Sequence, residues 1–159
     1  MNSIMTNYYP TFRMYQALRS QLMELLDDGD LSFTPGNGNP SLGALCRELG
    51  EVEQAYIDSF KTFTQDFSYR NSDPTLEQRV ARLSAWFAEL DAALEQTVAG
   101  LSEDDIAERV IDRGQNFKLP PMIQLEVYKE ALLIFYGKAR VYVSALGKPL
   151  PEQWQEWIG

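Results

Sequence analysis

The chain contains no histidine. That absence excludes every mechanism that depends on an imidazole, including Ser-His-Asp and Cys-His nucleophilic sites and histidine general bases. There is one cysteine, Cys46. No intrachain disulfide can form, so the fold does not depend on an oxidising compartment. Cys46 falls among apolar positions and reads as a buried, inert thiol. Long hydrophobic runs are also missing: Ala131 to Tyr136 is the longest candidate, far below the roughly 18 apolar residues of a membrane span. Met1 to Tyr15 has no basic start followed by an apolar run, which excludes a secretory signal there. A cytoplasmic location without membrane association is the expectation. Positive charge is scarce, with 14 basic against 23 acidic residues and a net charge of −9. Arg13, Arg19, Arg70, Arg79 and Arg82 are scattered among acids, so the chain is expected to repel a phosphate backbone and not to bind nucleic acid.

What remains is ordinary globular material. Hydrophobic residues make up 45% and charged residues 23% of the 159 positions, enough for a single domain over 1–159 with a real core. Apolar residues recur at steps of three and four in four long segments. The first predicted helix runs from about Pro10 to Asp27 and carries Phe12, Tyr15, Leu18, Leu22 and Leu25. The segment 28–40 is a loop by its prolines and glycines; no lysine-hydroxyl pair follows to make it a phosphate cradle. Ser41 is an N-cap for a second helix predicted to reach Phe67. A third opens on Asp73-Pro74 and runs to about Ala99, with Gly100 as its stop.

Ser102 to Asp105 is a capping-box-like start for a short helix, after which 111–120 is an irregular or extended connection. The last long helix is predicted over Pro121–Leu146, its apolar stripe including Tyr128, Ala131, Ile134, Phe135, Val141 and Tyr142. Gly147 and Pro149 end it. Four amphipathic stripes without strand-like alternation imply an all-α four-helix bundle with a short extra helix before the last long one. In the tail 148–159, Trp154 and Trp157 either cap the bundle or offer aromatic anchors to a second subunit.

Two stretches carry a resemblance. Ser41-Leu42-Gly43-Ala44-Leu45-Cys46-Arg47-Glu48-Leu49-Gly50-Glu51-Val52-Glu53 is similar to the helix start S-x-G-x-L-L-x-H-L-x-x-V-E of the DinB/YfiT-like family. Phe135 to Pro149 resembles that family's H-R-G-Q-x-x-x-Y-L-R-x-L-G-x-x-P ending, with one residue fewer before the proline. The resemblance implies a four-helix bundle and common self-association, hence a homodimer. It also implies a metal site made by three histidines, which fall here on Glu48, Ala131 and Phe135. A carboxylate, a methyl and a phenyl ring cannot hold a zinc or nickel ion. The expectation is a degenerate site with no metal, no cofactor and no catalytic residue.

Glu48 is expected to face the stripe Tyr128, Ala131, Phe135, Lys138 and Tyr142 across the bundle, with a Glu48–Lys138 ion pair or a Glu48–tyrosine hydrogen bond replacing the metal. Together with Tyr56 and Phe60, these residues form a candidate pocket for a small apolar ligand. Glu51, Glu126 and Glu130 read as a solvated face and not as a rebuilt metal site. Two alternatives stand beside the non-catalytic, ligand-binding reading. One is a metal-dependent thiol transferase or isomerase, by family analogy, using a non-histidine site; the other is a homodimeric interaction protein.

Overall fold

The computed structural model describes residues 1–159. Four long helices form the bundle: α2 (Tyr9–Leu25), α3 (Leu42–Thr62), α4 (Val80–Ala99) and α6 (Pro121–Ala145). Three short helices, α1 (Ser3–Asn7), α5 (Glu103–Glu108) and α7 (Glu152–Trp157), close its ends, and two-residue strands β1 (Ile111–Asp112) and β2 (Lys118–Leu119) pair antiparallel before α6. α3 packs on both α4 and α6, and α2 lies against the same two helices. One cluster of 33 buried apolar residues runs from Ile4 to Trp154.

Local chemistry sets the boundaries. Ser41 Oγ accepts the Ala44 N–H at 3.1 Å and starts α3. The Ser102 and Asp105 side chains exchange hydrogen bonds with each other's backbone N–H at 3.0 Å, so the capping box forms with aspartate in place of glutamate. Gly147, at φ 72°, ends α6 in the left-handed conformation that glycine adopts without strain. The helix α1 had no periodic signal. It is held by Asn2, whose side-chain oxygen accepts the Met5 N–H while its amide donates to Val98 O at 2.7 Å and Leu101 O at 2.9 Å.

Two predicted helices are shorter than their patterns. α3 stops at Thr62, with Phe63 left-handed at φ 57°, and does not reach Phe67. The chain there leaves the helix to join β1: Asp112 N–H donates to Phe63 O at 3.0 Å, and Gln65 N–H donates to Asp112 O at 2.8 Å. The segment from Asp73 is a 3-10 turn (Pro74–Glu77) followed by α4, not one continuous helix. Asp73 caps the turn, as its position suggests. The break is stabilised from elsewhere, because the Asp28 carboxylate accepts the Val80 N–H at 2.8 Å and so caps α4. The turn also packs closely on α3: a Cβ at Gly43 would lie 2.6 Å from Glu77 O.

The tail caps the chain's own core. Trp154 is fully buried, its indole N–H donates to Leu18 O at 2.9 Å, and its ring meets Tyr136 edge-on at 5.1 Å. Trp157 lies against Tyr15, with ring centroids 5.1 Å apart.

A charged cluster sits inside the bundle. Arg19 of α2 is buried and donates to Glu53 of α3 at 2.5 Å and to Asp91 of α4 at 2.6 Å. Its guanidinium lies 4.1 Å from the centroid of the Phe87 ring, and Gln16 donates to Asp91 at 2.6 Å. Burial works against the Arg19 charge, but Glu53, Tyr128 and Asp91 hold it firmly protonated. Burial pushes the Glu53 carboxyl up, against the pull of Arg19. The second Glu53 oxygen and the neighbouring Tyr128 hydroxyl fall short of a hydrogen bond.

Arg19→Met, which strands the two carboxylates, is expected to cost about 3–5 kcal/mol, roughly a 6–20 °C fall in Tm for a chain of this size. Adding Glu53→Leu should recover most of that loss. Gly43→Ala is expected to cost about 1–3 kcal/mol by overpacking against the Glu77 backbone. Chemical denaturation monitored by circular dichroism measures all three.

Candidate functional site

α3 and α6 run antiparallel and present the same spacing to one another. Leu45, Glu48, Leu49 and Val52 stand at i, i+3, i+4 and i+7 on α3; Ala131, Ile134, Phe135 and Lys138 repeat that pattern on α6. Three- and four-residue steps put each set on one helix face. The two faces form the walls of an open groove of about 170 Å³. Six of the eight lining residues are hydrophobic, and Glu48 and Lys138 supply the only charges.

Of the residues proposed from sequence, the groove brings together Glu48, Ala131, Phe135 and Lys138. It does not include the three tyrosines. Tyr56 and Tyr128 are buried one turn beyond Val52 and Ala131, where their rings meet at 5.0 Å. Tyr142 is buried past the other end, its hydroxyl donating to Pro40 O at 2.7 Å and its ring edge-on to Phe33. Phe60 is buried in the common core. The pattern of threes and fours gave these rings a helix face but not a depth along the bundle.

The expected polar cross-link does not form. Glu48 is exposed and makes neither an ion pair with Lys138 nor a hydrogen bond with a tyrosine. Both groups sit at the groove mouth, where water already solvates them and pairing gains little. The other acids nearby are occupied. Glu51, read from sequence as part of a solvated face, is buried instead and accepts from Arg47 at 3.2 Å and from the Asn71 N–H at 3.0 Å. Arg47 also reaches Glu77 at 3.0 Å, and Glu126 pairs with Lys129 at 2.5 Å. Glu48 therefore stands between an apolar groove and a charged patch as the acid without a partner.

Ile134 shares the spacing of the apolar stripe of α6, yet it is 61% exposed on the outer edge of the groove. The buried Arg19–Glu53–Asp91 cluster lies outside the residues that the spacing singles out. A signal for it exists: Glu53 falls in register with Leu49, Tyr56 and Phe60 on the apolar stripe of α3. An acid in that register needs a partner inside the protein.

The sequence profile of the DinB superfamily matches residues 12–128, well over half of the chain. The protein belongs to the DinB superfamily. Two solved structures share its fold. A DinB-like protein from Bacillus cereus superposes with a TM-score of 0.74 at 13% identity, covering 90% of this chain and 93% of its own. A DinB-like protein from Bacillus subtilis gives 0.68 at 16% identity, covering 86% and 90%. No curated protein sequence matches this chain. As a DinB superfamily member it is notable for its donor set. Glu48, Ala131 and Phe135, the positions onto which the family resemblance carries its metal-binding histidines, do line one groove. They offer one carboxylate and two hydrocarbon groups, and nowhere in the chain do three His, Cys, Asp or Glu side chains converge as a metal site requires. The residues present do not fit the metal.

Cys46 lies on α3, fully buried, and burial pushes its thiol up to about 12. A thiol held that far above neutral pH is not a nucleophile. Native protein at pH 8 is expected to resist a thiol-specific disulfide reagent, with one equivalent reacting after denaturation. Rapid reaction in the native state would contradict this burial. Calorimetric titration with zinc or nickel is expected to show no tight stoichiometric binding.

Proposed function

We propose that this DinB superfamily protein is non-catalytic and binds a small apolar molecule with a polar end in the α3/α6 groove. The observation that carries this reading is the lining itself: Leu45, Leu49, Val52, Ala131, Ile134 and Phe135 around an open space, with unpaired Glu48 and Lys138 at its mouth. Ligand sites combine an apolar body with a few polar groups that fix orientation. The volume of about 170 Å³ is close to the ~150 Å³ engineered apolar cavities that take up benzene. A short aliphatic or single-ring molecule suits it. Glu48 favours an amine or hydroxyl on that molecule, and Lys138 an acid.

Catalysis has little support in the same residues. Glu48 and Lys138 are the acid and base within reach, and no neighbouring group orients either of them for proton transfer. A thiol transferase or isomerase of the metal-dependent kind would need donors that Ala131 and Phe135 lack. A cytoplasmic setting belongs to this reading, supported by a single buried thiol and by the absence of any helix long and apolar enough to cross a membrane.

A panel of short-chain amines, carboxylates and benzyl alcohols, titrated into 15N-labelled protein, tests the proposal. Saturable shifts confined to Leu45–Val52 and Ala131–Lys138 are expected for at least one class. Ala131→Trp, which fills the groove, should weaken that binding at least about tenfold, or ~1.4 kcal/mol, with helicity unchanged. Glu48→Gln should weaken amines selectively and Lys138→Gln carboxylates. No saturable shift with any class, or shifts insensitive to Ala131→Trp, would overturn the reading.

A further inference from the structure

We infer that the ligand of the α3/α6 groove is a free α-amino acid with an apolar side chain, its charged head held in a second compartment beside the groove. This inference rests on the groove-binding reading and adds the chemistry of the head. The second compartment, of about 510 Å³, shares Glu48 and Val52 with the groove. Its other charged lining residues are Arg47, Glu51, Arg70 and Glu77. Glu48 and Val52 are four residues apart and form a ridge along α3. Leu45 and Leu49 lie on one flank of that ridge, in the groove; Arg47 and Glu51 lie on the other, in the compartment. The two spaces are therefore neighbours across a single helical ridge.

Two guanidiniums in the compartment are held from one side only. Both converge on the buried Glu51 carboxylate, Arg47 Nε at 3.2 Å from one oxygen and Arg70 Nε at 3.9 Å from the other. Arg47 Nη1 also pairs with Glu77 at 3.0 Å, and Arg70 Nη1 donates to the Phe67 and Tyr69 carbonyls at 2.8 and 2.6 Å. Nη2 of neither arginine makes a hydrogen bond within the chain. A guanidinium fixed in orientation with donors to spare suits a carboxylate. Glu48, the acid without a partner, stands one helical turn before Glu51, their Cβ atoms about 5–6 Å apart by helix geometry. An unpaired acceptor and unpaired donors are thus one turn from each other.

Charge balance selects the head. Arg47, Arg70 and Lys138 face Glu48, Glu51 and Glu77 across the combined cleft, three charges of each sign. A simple amine leaves the guanidinium donors unused, and a simple acid meets the Glu48 carboxylate. A zwitterion answers both, and like-charge contact disfavours the ligands that carry only one of its groups. In an α-amino acid the ammonium and the carboxylate share one carbon, which suits partners a single turn apart. The third substituent on that carbon, the side chain, then crosses the Glu48–Val52 ridge into the apolar groove. A leucine-like or single-ring side chain fits that space of about 170 Å³.

Calorimetric titration with leucine and phenylalanine, beside isoamylamine and phenethylamine and beside 4-methylpentanoate and 3-phenylpropionate, tests the inference. These amines and acids are the same molecules without the carboxylate or without the ammonium. Each amino acid is expected to bind at least about tenfold more tightly than its amine or its acid. Arg70→Gln, at an exposed position and with helicity unchanged by circular dichroism, should lower the amino acid to the affinity of the amine and leave the amine as it was. Glu48→Gln should weaken both, and Lys138→Gln should leave the amino acid unaffected. An amino acid bound no more tightly than its amine, or one that responds to Lys138→Gln and not to Arg70→Gln, overturns the inference. Amines that bind and respond to Ala131→Trp, with no gain for amino acids, refute the head and leave the groove reading standing. No binding by any class removes both.

Discussion

The bundle depends on a guanidinium that three helices share. Arg19 leaves α2 and meets carboxylates from α3 and α4 at 2.5 and 2.6 Å, with no bulk water around it. Taking such charges out of water costs several kcal/mol per ion, which their attraction only offsets when the geometry is good. The cluster therefore adds little net stability, but it constrains alignment strongly. A slip of α2 by one residue turns Arg19 by about 100° around the helix axis and leaves Glu53 without its partner in the core. The planar fork of arginine suits this position, since it can address two acids while its face rests on Phe87.

With α2, α3 and α4 aligned by that cluster, α6 is left to define the remaining side of the molecule. The Tyr56–Tyr128 contact sets the register of α6 on α3. That register brings Glu48 opposite the Ala131–Lys138 segment. Glu48, Ala131 and Phe135 line one groove there. Six of the eight residues around that groove are hydrophobic. The fold that carries the groove is shared with two DinB-like proteins at 13–16% identity.

The helices were legible because periodicity, caps and stop signals agreed. Ser41, the Ser102–Asp105 box and Gly147 mark boundaries that the structure keeps. Boundaries failed where a distant segment supplied the decisive hydrogen bonds. Asp112 ends α3 early by drawing Phe63 and Gln65 into a pairing, and Asp28 caps α4 in place of a local residue. Neither partner is close in sequence, so no local pattern could have pointed to it. The candidate site was half legible for a related reason. Glu48, Ala131, Phe135 and Lys138 share helix faces that spacing reveals, whereas Tyr56, Tyr128 and Tyr142 share those faces at other depths.

The sequence by itself determined that this protein is a helical bundle and that imidazole chemistry is closed to it. Both follow from residue types and spacing, which exist before any contact forms. The tertiary structure alone decided that Glu48 and Lys138 stay apart at the mouth of the groove, that Glu53 is the acid needing a buried partner, and that Ile134 faces outward. Burial is a property of the whole assembly of helices. An apolar or charged residue at a given phase of one helix reveals its environment only when its neighbours are in place.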